Sequence, residues 1–163
     1  ELLKLAKYIQ GMTIGTNTLF IVNHRIDIML AADADGIHLG WQSLPAETVR
    51  KLAGPDKIIG ISLHSPEEVR KTNNNIDYII LSPIFCTPSK EKLLLPLGIS
   101  TLKEAVSITS IPIIALGGIN ESNLKPVFDS GASGAGFIRA VFQAKNIEEQ
   151  IYKLKKIIQK YKD

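Results

Sequence analysis

The feature that most constrains this chain is an alternation. After an opening helix, a short apolar segment and a helical segment follow one another six times, with strand starts near residues 19, 36, 57, 77, 111 and 134. That spacing leaves room for a strand, a crossover helix and two short loops, which is what parallel strands require. Local signals agree with it. Ser65-Pro66-Glu67-Glu68 supplies an N-cap, a proline at the first helical position and acids in the first turn. Pro45 sits where another helix begins, and Gly54-Pro55 ends that helix. Residues 26–34 read as a short helix stopping at Asp35-Gly36, and residues 122–129 as one ending at Gly131. Ala34-Asp35-Gly36 and Ala132-Ser133-Gly134 both introduce strands, the second predicted over residues 135–140.

Two architectures fit, a doubly wound open sheet and a (β/α)₈ barrel of the TIM type. No G-x-G-x-x-G follows the first strand, which counts against the dinucleotide-binding version of the open sheet. The barrel needs eight strands where six are visible. The expectation is therefore a single α/β barrel domain over residues 1–163 without its first βαβ unit. The chain does not begin with Met, so a true N-terminus further upstream is expected.

At 163 residues, 45% hydrophobic and 21% charged, the composition is that of an ordinary globular domain. No apolar run approaches the roughly 20 residues that span a bilayer. The first residues lack the pattern of a signal peptide and read as an amphipathic helix with Leu2, Leu5 and Ile9 on one face. The net charge of +3 owes much to Lys153, Lys155, Lys156, Lys160 and Lys162 in the last helix. There Ile147, Ile151, Leu154 and Ile158 recur at helical spacing and are expected to face the core, leaving the lysines solvated. No aromatic residues are interleaved to stack on bases, so neither a nucleic-acid nor a membrane partner is expected. A lone cysteine, Cys86, excludes an internal disulfide and fits the cytoplasm.

The segment Ile111-Pro112-Ile113-Ile114-Ala115-Leu116 reads as a strand buried on both faces. It runs into Gly117-Gly118 and then Ile119-Asn120-Glu121-Ser122, where Asn120 or Ser122 is a candidate N-cap. Glycines let backbone N–H groups approach a ligand, and a helix start favours an anion. A tight turn without ligand is the other reading of the same residues. In a barrel lacking its first unit this strand becomes the seventh, and the loops after strands seven and eight frequently bind phosphate. The long loop 82–98 has the length of functional loops. His38, between Ile37 and Leu39, faces the other side of its strand and is expected to be structural. No His and Cys cluster has zinc spacing.

Five segments then occur in order: Val22-Asn23-x-Arg25 with Asp27, residues 34–40 (ADGIHLG), residues 60–65 (GISLHS), Thr87-Pro88-Ser89-Lys90, and residues 115–119 (ALGGI). Together they resemble the family of thiamine phosphate synthase and its relative TenI, the thiazole tautomerase. The resemblance runs from residue 1 to about Gln143 and implies a TIM-type barrel with a thiazole-phosphate or thiamine-phosphate ligand at its C-terminal face. It implies that Thr87, Ser89 and Lys90 hold a pyrophosphate and that Gly117 and Gly118 hold the thiazole phosphate. Arg139, with Ala140 beside it, stands where the family places a serine, and arginine is a bidentate phosphate ligand. Asn23, His24 and Ser62 are further pocket candidates, and Trp41 is a candidate for its mouth.

Two positions depart from the synthase pattern. The synthase carries aspartates that hold Mg²⁺ where this chain has His24 and Ser43, so no protein-held metal is expected here unless the chain is a synthase using Mg²⁺. TenI tolerates that loss and uses a histidine matching His64 as its acid–base group. The favoured expectation is accordingly a TenI-like tautomerase. The alternatives are a thiamine phosphate synthase, coupling a pyrimidine pyrophosphate to thiazole phosphate, and a non-catalytic thiamine-phosphate-binding module. A homodimer is a further expectation.

Overall fold

The computed structural model describes residues 1–87 and 94–161. Its strands β1 (Ile21–Asn23), β2 (Gly36–Leu39), β3 (Ile58–Leu63), β4 (Tyr78–Leu81), β5 (Ile113–Ala115) and β6 (Gly134–Ala135) form one six-stranded sheet in chain order. The pairs β1–β2, β2–β3 and β5–β6 are parallel. A doubly wound sheet reverses direction from a central strand. Sequential parallel order is instead that of a (β/α) barrel sheet, as the alternation led us to expect. The helices are α1 (Leu2–Thr13), α2 (Ile26–Ala32), α3 (Ala46–Ala53), α4 (Pro66–Arg70), α5 (Gly98–Ser107), α6 (Leu124–Asp129), α7 (Arg139–Phe142) and α8 (Ile147–Gln159). None of the described helices is long and apolar enough to cross a membrane.

The chain divides into two compact units, Glu1–Ser62 with Thr72–Ile79 and Leu63–Lys71 with Ile80–Asp163. In the first, α1 packs on α2, and the core holds Met29, Ile37, Leu39, Val49, Ile59 and Ile79. Burying each of these large side chains contributes roughly 1.5–3 kcal/mol. Two strand-leading aspartates tie this core together. Asp35 accepts from the Phe20 N–H at 2.7 Å. Asp77 accepts from the Ile59 N–H at 2.7 Å and pairs with Arg50 at 2.6 Å. In the second unit the core is Leu81, Ile84, Leu102, Ile113, Leu124, Val127 and Leu154.

The Ser65 cap forms as its sequence dictates, with Oγ accepting from the Glu68 N–H and Pro66 at the first helical position. Several expectations need correction. The strand predicted over residues 135–140 is only Gly134–Ala135, and Arg139 and Ala140 lie in helix α7. Pro45 is the residue before α3 and not its first. The stripe of α8 is buried only at Leu154, with Ile147 44% and Ile151 38% exposed. In α1, Leu2 and Leu5 are exposed and Ala6 is the buried residue. Helical periodicity fixes which residues share a face, whereas burial needs a neighbouring element opposite that face.

Candidate functional site

The stretch 111–119 shortens to the three-residue strand β5, and the strand leads through Leu116 into a closely built turn. Gly117 and Gly118 both take the left-handed backbone, φ 100° and 64°, which glycine adopts at little cost. A side chain would also not fit. A Cβ at Gly117 would lie 2.7 Å from Pro83, and one at Gly118 2.5 Å from the Cys86 carbonyl oxygen. The segment beginning at Ser82 lies against this turn: the Ile84 N–H donates to the Leu116 carbonyl and the Phe85 N–H to that of Gly117.

Asn120, not Ser122, is the cap. Its Oδ1 accepts from the Ser122 N–H at 2.9 Å, and Asn123 returns the bond by accepting from the Asn120 N–H, also at 2.9 Å. This reciprocal box opens a short 3-10 turn, Glu121–Asn123, that leads into α6. The Asn123 amide also donates to the Gly118 carbonyl at 3.0 Å. Both glycine carbonyls are thus occupied, while among the described residues neither glycine N–H donates a hydrogen bond. Unspent donors with their acceptors turned to other partners suit an anion.

The turn lines a cavity of about 410 Å³ within the second unit, together with Ser82, Cys86, Thr87, Leu116, Arg139, Ala140 and Gln143. That volume is within the range of small-molecule sites. Arg25, Arg50 and Arg70 each pair with a carboxylate. Arg139 is exposed and, among the described residues, has only the Gln143 amide oxygen, 3.3 Å from its Nε. A guanidinium without a carboxylate partner among the described residues, at a cavity that Gly117 and Gly118 also line, can receive a phosphate.

Among the residues singled out from the sequence, Thr87, Gly117, Gly118, Arg139 and Ala140 come together at this cavity. Ser89 and Lys90 lie outside the described residues. His64 does not line the cavity, but its Nδ1 donates to the carbonyl oxygen of Ser82, which does, at 2.5 Å. A carbonyl only accepts, so Nδ1 carries a proton, and in the neutral ring Nε2 keeps its lone pair. The His64 N–H donates to Glu68 Oε2. Sequence reasoning missed Ser82 and Gln143 and set Cys86 aside. Ser82 had one signal, its place directly after β4, where site residues of such folds collect.

Asn23, His24, Ser43 and Ser62 belong to the first unit, where the side chains of the last three are hydrogen-bonded. His24 Nδ1 lies 2.8 Å from Ser43 Oγ, which also accepts from the Gly40 N–H at 3.0 Å. His38 lies 3.1 Å from the Tyr78 hydroxyl through Nδ1 and 2.8 Å from Ser62 Oγ through Nε2. His38 is therefore structural, as its alternation predicts. Burial and the nearby His24 lower its pKa to about 4, and burial raises that of Tyr78 to about 12. Gly60 is required there, since a Cβ would overlap the Tyr78 ring. Trp41 is 90% exposed.

The donor set does not fit the Mg²⁺ that the resemblance implies for a synthase. Mg²⁺ takes hard oxygen ligands, usually one or two carboxylates. An imidazole and a neutral hydroxyl already bonded to each other replace that pair. Among the described residues no three His, Cys, Asp or Glu side chains gather as a metal-binding group.

The sequence profile of the family described as thiamine monophosphate synthase matches residues 1–141. The chain is 41% identical over 147 residues to the thiamine-phosphate synthase of Vibrio parahaemolyticus, covering 90% of this chain and 72% of that protein. It is 46% identical over 142 residues to the thiamine-phosphate synthase of Chlorobium phaeovibrioides, covering 86% and 68%. Among solved structures, thiamine phosphate pyrophosphorylase from Pyrococcus furiosus matches with a TM-score of 0.88 and 32% identity, over 98% of this chain and 77% of that one. With strand order, turn geometry and relatives in agreement, the chain belongs to the thiamine monophosphate synthase family.

Proposed function

We propose that this chain acts in thiamine biosynthesis as a transferase of the thiamine-phosphate synthase type, joining a pyrimidine pyrophosphate to thiazole phosphate and releasing pyrophosphate. The observation that carries this reading is the anion cradle of Gly117, Gly118 and Arg139, in a chain whose relatives at 41% and 46% identity are named synthases. In this reading the two glycine N–H groups and the Arg139 guanidinium hold the thiazole phosphate and so fix the thiazole ring. Thr87, with Ser89 and Lys90 beyond it in sequence, serves the pyrophosphate. Holding two substrates in one orientation converts a bimolecular encounter into a step within the complex, which is a large part of what such a protein can contribute. The test is direct: incubate the protein with both substrates and measure thiamine phosphate and pyrophosphate. Turnover above background supports the reading, and binding of thiazole phosphate with no turnover over a range of pH overturns it in favour of a binding module.

The tautomerase reading, which the sequence alone favoured, has less support from the relatives' names. One observation favours it. His64 has its tautomer set by the Ser82 carbonyl, leaving Nε2 as a base that can take and return a proton. Aromatisation of thiazole carboxylate phosphate, abolished by His64→Asn, would establish it. Absence of that reaction, together with synthase turnover, would remove it.

A further inference from the structure

The two positions that depart from the synthase pattern are far apart in sequence and adjacent in space. His24 and Ser43 hydrogen-bond to each other at 2.8 Å, and Ser43 Oγ is anchored by the Gly40 N–H. The local backbone is shaped for this pair. His24 takes a left-handed conformation at φ 60°, uncommon for a residue with a side chain. Its ring lies against Gly40 so closely that a Cβ there would meet Cε1 at 2.7 Å. The His24 N–H is held by the His38 carbonyl at 3.0 Å. The nearest carboxylate along the chain, Asp27, is committed to Arg25 through both oxygens, which lowers its pKa to about 2.

The pair thus carries a net charge of zero or +1 where two carboxylates would carry −2. We infer that this chain binds the pyrophosphate group of its substrate without Mg²⁺, with His24, steadied by Ser43, offering an N–H donor at the position the resemblance gives to the metal. If the Ser43 hydroxyl donates to Nδ1, the proton of the neutral ring is on Nε2, which is then a donor to an anion. In the protonated ring Nε2 is a donor as well. A direct charge-assisted bond replaces the bridge of a divalent cation.

The inference rests on the synthase reading for the identity of the ligand, and two probes keep the two apart. Inorganic pyrophosphate and thiazole phosphate are titrated separately into the whole protein by calorimetry, in EDTA and then in about 5 mM MgCl₂. Wild type is expected to bind pyrophosphate in EDTA, with Mg²⁺ leaving that affinity unchanged or weaker. His24→Asn, chosen because asparagine tolerates a left-handed backbone, is expected to weaken metal-free binding at least about fivefold by loss of a charge-assisted donor. The double variant H24D/S43D is expected to lose metal-free binding and to gain at least about tenfold on adding Mg²⁺. Wild-type binding that is absent in EDTA, or tightened about tenfold by Mg²⁺, overturns the inference even if the double variant fails to fold. Failure of thiazole phosphate to bind counts against the proposed function instead.

Discussion

Most polar side chains of both units are paired, and the difference lies at the turn after β5. In the first, His38 has both ring nitrogens occupied, Ser43 links His24 to the Gly40 amide, Asp27 pairs with Arg25, and Asp77 joins Arg50 to the Ile59 N–H. In the second, the Gly117 and Gly118 N–H groups have no partner among the described residues, and there the Arg139 guanidinium has the Gln143 amide oxygen but no carboxylate. Satisfied donors hold a fold together, and a ligand that competed for them would have to break those bonds. Unsatisfied donors at a cavity wall gain by meeting one. The contrast explains why a single stretch of this sequence, and not its histidines, is the strongest pointer to a ligand.

The comparison breaks most easily at its glycines. Gly118→Ala would force a side chain into a left-handed backbone and against the Cys86 carbonyl. We expect at least about a hundredfold loss of thiazole phosphate affinity by calorimetry, with a destabilisation of roughly 1–3 kcal/mol. Gly60→Ala tests the closed unit instead. Its Cβ must displace the Tyr78 ring and with it the His38 hydrogen bond, so urea denaturation should show a loss of roughly 2–4 kcal/mol, while the phosphate cradle keeps its own residues. Equal loss of phosphate affinity in this variant would mean that the two units are not separable in function.

Smaller effects sharpen the contrast. Arg139→Gln removes an exposed charge without touching the core. It should weaken thiazole phosphate binding about tenfold or more and change stability by less than about 0.5 kcal/mol. His38 gives the pH dependence of the first unit. Its pKa falls from an ordinary value near 6.5 to about 4 in the folded state, so between those values the unfolded chain binds more protons. Its contribution is fully present above about pH 6.5 and is lost as pH falls toward 4. Denaturation profiles should show about 1–2 kcal/mol of that loss after allowing for partial exposure of the ring, and His38→Gln should flatten it. A profile unchanged by the substitution would place the acid sensitivity elsewhere.

Much of the fold was legible because it rests on local chemistry. Alternating apolar and helical segments specify parallel strands with crossovers. Ser65-Pro66 starts a helix for reasons contained in a few residues, and so does Asn120, although Ser122 competed for that role until the reciprocal bond with Asn123 decided it. Leu2, Leu5, Ile147 and Ile151 were less legible, since spacing says which residues face the same way and not what lies opposite. The last strand is shorter than its apolar run suggested, because its partner β5 ends at Ala115 and the chain then turns into α7.

The sequence by itself determined the strand–helix alternation and the Gly117-Gly118 turn, while its resemblance to the synthase family marked His24 and Ser43 as standing where carboxylates are expected. The first two are properties of residue type and order. Only the tertiary structure decided that His24 and Ser43 bond to each other, that Ser82 holds His64 Nδ1, and that Arg139 lines the same cavity as the two glycines with no carboxylate partner among the described residues. These are relations between residues about twenty positions apart. A hydrogen bond or a vacant donor depends on where the chain brings its partner, and no local pattern encodes that distance.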